Sequence, residues 1–222
     1  MKSIILGTGR YLPSNVVTNH ELAERMDTNH DWIVERTGIH ERRYAVPGVD
    51  TTASMGTEAA KRALDAAGLT PQDVDLILFA TLSPDYYFPG PGVQLQHNLG
   101  CRTIGAIDIR NQCSGFVYAL SIADQYLRNG AANHVLVVGS ELHSAGLDMS
   151  TRGRNVPVIF GDGAGPWYLV APMNPEEACC QPIFTAKANT PRNWPCWDPA
   201  PVIGFQKSWN GTTPMMYPIF LE

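Results

Sequence analysis

Two segments, "VDLILFATL" (74–82) and "HVLVVGSE" (134–141), are almost continuously apolar. A strand that is apolar on both faces has to be covered on both faces, so these runs belong inside a sheet with helices on either side, as in parallel α/β architecture. "SIILG" (3–7), "VPVIF" (156–160) and the short run Ile107–Ile109 are expected to be further strands. Helical segments alternate with them. "DTTASMGTEAAKRALDAAGL" has Asp and Thr at its front, alanines inside and Gly68 where a helix stops. "TNHELAERM" and "NHDWIVERTGI" predict two short helices, the second ended by Gly38. After Cys113, apolar positions at 116, 119/120, 123 and 126/127 predict a longer one, ended by Gly130. The alternation implies an α/β sandwich.

Composition changes near Leu169. Residues 171–222 hold nine of the 17 prolines, three of the five tryptophans and three of the five cysteines, with no histidine. Proline removes a backbone donor, so "CWDPAPVIGF" is excluded as an interior strand. The expected division is therefore an ordered 1–169 and an irregular 170–222.

A formal charge of −5 argues against an obligate nucleic-acid partner, which needs a basic face. No apolar run approaches the roughly 20 residues of a membrane span, and "MKSIILGTGR" lacks a signal-peptide core. A cytoplasmic location is the expectation, and no membrane partner. The five cysteines form no C-x-x-C pair, and Cys179, Cys180 and Cys196 have no nearby histidine, so no metal site is expected. "GTGRYL" lacks the third glycine of a dinucleotide fingerprint, and "GDGAG" follows a strand without opening a helix.

In "AIDIRNQCSGFVYALSIADQYLRNG" (106–130), Cys113 falls between a strand end and the first turn of a helix. Thiolate is the reactive form of cysteine, and a helix N-terminus favours negative charge. Sites in open α/β sheets gather beyond the carboxyl ends of strands. Cysteine is also among the most buried residue types, so the residues alone leave two alternatives, a nucleophile or a small core filler.

"DIRNQCSGFVYALSIADQYLRNG", followed by "LVVGSE" and "VIFGDGAG", resembles β-ketoacyl-acyl carrier protein synthase III, a family of thiolase-fold condensing enzymes. "GTGRYLPSNVVTNHEL" and "DTNHDWIVERTGIHERR" are similar to that family's opening and its W-I-x-x-R-T-G-I signature. The likeness runs in order from residue 1 to about 169. It implies the first half of a duplicated, layered αβαβα fold.

The resemblance implies that Cys113 accepts an acyl group from acyl-CoA, which then condenses with malonate carried on acyl carrier protein. Its backbone N–H would serve an oxyanion hole, and no cofactor beyond the CoA substrate is implied. Trp32 and Arg36 match positions that hold the CoA adenine and phosphate region. An indole and a guanidinium four residues apart on a helix can sandwich a purine. Thr28, Arg152 and Gly153 match further CoA contacts, with Arg154 as the alternative to Arg152. Phe88, in "YYFPGPG", matches a residue that closes the acyl pocket of the opposite subunit, which implies a homodimer.

The family also uses a His and an Asn from its second half. The histidines here, at 20, 30, 40, 97, 134 and 143, match none of those positions. "PRNWPCWDPAPVIGFQKSWNGTT" departs from the family, as a frameshift or a diverged loop would. Two other expectations therefore stand beside the condensing enzyme. One is a related acyltransferase with another acceptor, which the unusual "RNQ" before Cys113 favours. The other is a non-catalytic half that binds CoA or a partner.

Overall fold

The computed structural model describes residues 2–165 and 168–173, with the side chains of 3–165. Expectations that fall on 174–222, including those for Cys179, Cys180 and Cys196, lie outside the described residues. The strands are β1 (Lys2–Gly7), β2 (Asn15–Thr18), β3 (Glu41–Tyr44), β4 (Leu76–Ala80), β5 (Gly105–Ile109), β6 (Val135–Glu141), β7 (Gly163–Ala164) and β8 (Tyr168–Met173). The helices are α1 (Asn19–Ala23), α2 (His30–Thr37), α3 (Thr52–Ala67), α4 (Pro91–Leu99) and α5 (Gly115–Arg128).

One sheet organises these elements, in the order β1-β8-β6-β4-β5 with β7 paired to β6. β4 is wholly buried and runs parallel to both neighbours, as its double-sided apolar sequence requires. On one face, Met55, Ala59, Ala60 and Ala63 of α3 and Leu95 of α4 pack against Ile77, Phe79, Leu136 and Val138. On the other, Ala119, Ala123 and Leu127 of α5 cover Leu78, Val135 and Val137. The small residues at positions 119 and 123 let the α5 backbone sit close to the sheet.

Local chemistry fixes the helix ends. Thr51 and Ser54 form a reciprocal capping box at the start of α3, and Gly68 ends it at a φ of 69°. Thr18 caps α1 together with Glu21, Asn29 caps α2, and Gly38 ends α2 at a φ of 71°. Among the described residues, no helix is long and apolar enough to cross a membrane.

Three expectations are corrected. The sheet is mixed, because β8 runs antiparallel to both β1 and β6. β8 also carries regular structure through 171–173, which the proline-rich composition had marked as irregular. It lies between β1 and β6, crossing the expected boundary at 169/170. Residues 156–160 are a chain of turns, not a strand: Ile159 and Phe160 both donate backbone N–H to the Val156 carbonyl. Pro157 has no N–H to give a ladder, and within the turn it is buried together with Val158. Finally, β2 and β3 form a separate antiparallel pair that local pattern did not announce.

Candidate active site

The carboxyl ends of β5, β4 and β6 form one rim. In register across it, Ala80 of β4 pairs with Ile109 of β5 on one side and Gly139 of β6 on the other. Cys113 leaves the rim just beyond β5, in the turn that opens α5, and it is exposed. Cys113 therefore fills no core among the described residues. That turn is closed by Gly115 N–H donating to the Gln112 carbonyl at 2.7 Å, and Gln112 N–H donates to Asn111 Oδ1 at 3.1 Å. Ser114, the N-cap, makes no side-chain cap. The sulfur thus stands at a helix start that no side chain has closed off.

The loop after β4 is tethered along its backbone. Leu82 N–H donates to Glu141 Oε1 at 2.9 Å, and Thr81 Oγ1 and Ser83 donate to Oε2. Asp85 accepts the N–H groups of Thr52 and Ala53, both at 2.7 Å, which satisfies the first turn of α3. At its far end, Gly92 N–H donates to Asp108 Oδ1 at 2.9 Å. Held at these points, the loop projects three consecutive aromatics, with Tyr87 and Phe88 92% and 93% exposed. The Arg110 guanidinium lies 6.0 Å from the Tyr87 ring, joining this loop to the strand end from which Cys113 leaves. Phe88 is therefore an outward-facing aromatic in the described chain, not a core residue.

The expected CoA contacts gather elsewhere. Trp32 packs beside Leu22, Met26, Ile33, Met149 and Val158, so α1, α2 and the 149–158 segment share one small core. Thr28 precedes the Asn29 cap of α2, and its Oγ1 is buried without a hydrogen-bond partner. Arg154 Nη1 donates to the Asp27 carbonyl at 2.7 Å and pairs with its carboxylate at 2.9 Å, tying the segment to the chain ahead of α2. Arg152 stays 89% exposed and pairs with Asp148 at 2.9 Å. Gly153 is pressed onto Asp148: a Cβ there would lie 2.3 Å from the Asp148 carbonyl oxygen. Hydrogen bonds from Ser150 and then Arg152 hold the Asp148 carboxyl down at about 2.

The structure thus brings Thr28, Trp32, Arg152 and Gly153 to one flank, with Arg36 over the indole. It places Cys113 and the Phe88 loop at the strand rim. Sequence reasoning gave no role to Glu141 or His143. His143, just past β6, lies beside Phe160 in a tilted arrangement with ring centroids 5.0 Å apart, and its Nε2 lies 3.9 Å from Glu141 Oε2. Phe160 is two residues from Val158, which packs with the Trp32 cluster. The available signal was a carboxylate ending an otherwise apolar strand, in "LVVGSE". Among the described residues, no group of three His, Cys, Asp or Glu is placed to hold a metal ion.

A sequence profile of the 3-oxoacyl-[acyl-carrier-protein (ACP)] synthase III family matches residues 107–181. The β-ketoacyl-[acyl-carrier-protein] synthase III of Methylococcus capsulatus is 49% identical over 173 residues, which are 78% of this chain and 53% of that protein. The crystal structure of 3-oxoacyl-[acyl-carrier-protein] synthase III from Aquifex aeolicus VF5 matches with a TM-score of 0.73 at 44% identity, over 77% of this chain and 54% of that one. The priming β-ketosynthase of the R1128 polyketide biosynthetic pathway matches with a TM-score of 0.73 at 37% identity, over 78% and 50%. The chain spans about half the length of the curated relatives it matches.

Proposed function

We propose, for a chain whose matched three quarters belong to the β-ketoacyl-[acyl-carrier-protein] synthase III family, that Cys113 accepts an acyl group from acyl-CoA as the first half of a condensing reaction. The observation that carries this is the exposed Cys113 thiol at the strand rim, ahead of an uncapped helix and inside the matched stretch. The sulfur attacks the thioester carbonyl, the bond to CoA sulfur breaks, and CoA leaves as its thiol. Holding the acyl group on the protein divides one difficult carbon–carbon bond formation into two steps.

The acceptor is malonyl-loaded acyl carrier protein, whose carboxyl leaves as CO2 to form the carbanion that condenses. The resemblance assigns enolate stabilisation in that step to a His and an Asn that no described residue supplies. CoA lies along the flank of Thr28, Trp32, Arg36, Arg152 and Gly153. No other cofactor takes part, and the reaction belongs in the cytoplasm. Two copies pair so that Phe88 of each closes the other's acyl pocket; its 93% exposure supports this. A related acyltransferase of secondary metabolism is the second reading, favoured by the likeness to a polyketide priming enzyme.

Intact-protein mass spectrometry before and after acetyl-CoA or a longer acyl-CoA tests the proposal, with Cys113→Ala as control. The expected result is a single acyl adduct that the variant lacks. A folded chain that binds CoA and forms no adduct would make it a binding half and end the enzyme reading.

A further inference from the structure

We propose that Arg42 is a positioning residue: from inside the fold it holds in register the two backbone walls around Trp32, and so sets the fit of the nucleotide end of acyl-CoA. This rests on the reading that CoA lies along the flank of Thr28, Trp32, Arg36, Arg152 and Gly153. The walls come from distant parts of the chain, α2 and the 149–158 segment, and Trp32 packs where they meet, beside Met149 and Val158. At the surface they are joined through Arg154 and Asp27, whose carboxylate side chain is 83% exposed. An ion pair open to water holds such a geometry weakly.

Beneath the surface the join is made by one guanidinium. Arg42 lies on β3 opposite Val17 of β2 and is 6% exposed. Its Nη1 donates to the Val17 carbonyl at 3.3 Å, and its Nη2 donates to Asn19 Oδ1 at 2.7 Å and to the Val158 carbonyl at 3.3 Å. Asn19, wholly buried at the start of α1, carries the link onward. Its Nδ2 donates to the Ile39 carbonyl at 2.7 Å, just past the Gly38 end of α2. A single planar head thus fixes the exit of α2 through Asn19, and the 149–158 segment directly. Tyr44, on the same strand, reaches only the segment, through the Pro157 carbonyl at 3.5 Å.

Stability alone gives little reason for this arrangement. All three acceptors are neutral oxygens, Nε is buried with no partner, and burial pushes the guanidinium pKa down. Well-packed apolar side chains often replace buried charges without loss. What an arginine supplies, and an apolar side chain does not, is a rigid fork of donors that fixes the spacing of the oxygens it binds. Fixing Val158 relative to Ile39 fixes the walls between which the indole sits, and a shift of about 1 Å in such a wall is costly to a positioned ligand.

Single-turnover acylation of Cys113 tests this in the full 222-residue chain, for the wild type, Arg42→Met and Arg42→Lys, each checked for folding by circular dichroism. Two donors are compared: acetyl-CoA, and acetyl-N-acetylcysteamine, which presents the same thioester without a nucleotide. The half-saturating concentration of acetyl-CoA is expected to rise about tenfold in Arg42→Met, the equivalent of one lost base stack, with the limiting rate unchanged. Arg42→Lys, which keeps the charge without the fork, should lie between, and the short thioester should react alike with all three. If Arg42→Met unfolds, Arg42→Lys carries the comparison. Wild-type half-saturation in a folded variant overturns the proposal, and so does equal slowing with both donors, which marks a general structural role. A wild type that reacts with neither donor ends the acyl-acceptor reading, and one that does not prefer acetyl-CoA ends the CoA reading of the flank. Hydrogen exchange then decides on Arg42 and the two walls. Faster exchange in residues 30–38 and 149–158 of the variant, with 76–80 unchanged, supports its hold on them, and an unchanged pattern overturns it.

Discussion

The Arg36 guanidinium lies over the Trp32 indole, 4.5 Å from the ring centroid, on a helix that also pairs Arg36 with Glu35 at 3.4 Å. Sequence reasoning placed a purine between these two groups. In the structure they stack directly on one another, so a purine entering between them has first to displace the arginine. Trp32→Ala should therefore weaken CoA binding by about tenfold, in line with about 1–3 kcal/mol for one base stacked on an aromatic ring. Arg36→Ala, which removes an exposed cation–π contact of about 0.5–1 kcal/mol, should weaken it less. Calorimetric titration with CoA gives both numbers, and equal affinity in wild type and Trp32→Ala would remove α2 from the CoA site.

Gly153 is required by contact. A methyl group at this position meets the backbone carbonyl of Asp148 at 2.3 Å, and a backbone atom cannot swing aside. Gly153→Ala should cost about 1–3 kcal/mol of stability. Thermal unfolding should shift down by roughly 2–4 °C for each of them. A midpoint unchanged from wild type would show that the turn rebuilds without strain.

Asp148 makes acid stability locally asymmetric. Its carboxyl is held at about 2, below the ordinary carboxylate value of 3.8, chiefly by Ser150 and then by Arg152. Between those values the unfolded chain binds more protons than the folded one, so stability rises with pH. The contribution is present above the ordinary carboxylate range and is lost as pH falls through about 2. Asp148→Asn should flatten the acid limb of a stability–pH curve between pH 4 and 2. An unchanged slope would contradict the assignment.

Asp162 is 5% exposed and accepts three backbone N–H groups, from Ala45, His143 and Ser144, at 2.7, 2.7 and 2.9 Å. Alanine leaves all three without a partner, and each orphaned buried donor costs about 1–3 kcal/mol. Urea denaturation should place Asp162→Ala at least about 3 kcal/mol below wild type. Asp162→Asn, which keeps one acceptor oxygen, should lose markedly less.

Some of this molecule was legible in single stretches of chain. The doubly apolar β4 and β6, the caps at Thr51 and Gly68, and the stripe of α5 each follow from residues within a few positions of one another. The same local signals placed Cys113 between a strand and a helix, where the structure has it. Tertiary pairing decided the rest. β8 takes its antiparallel place between β1 and β6 through hydrogen bonds to residues far away in sequence, so the prolines around it gave no usable sign of it. Residues 156–160 carry a strand-like composition, yet Pro157 and the close packing of Gly153 turn the segment back on itself. Glu141 and His143 became members of the rim only when three distant strand ends were aligned. Propensity and periodicity report what a segment can bury, but a hydrogen-bond or ion partner depends on which other segment arrives beside it.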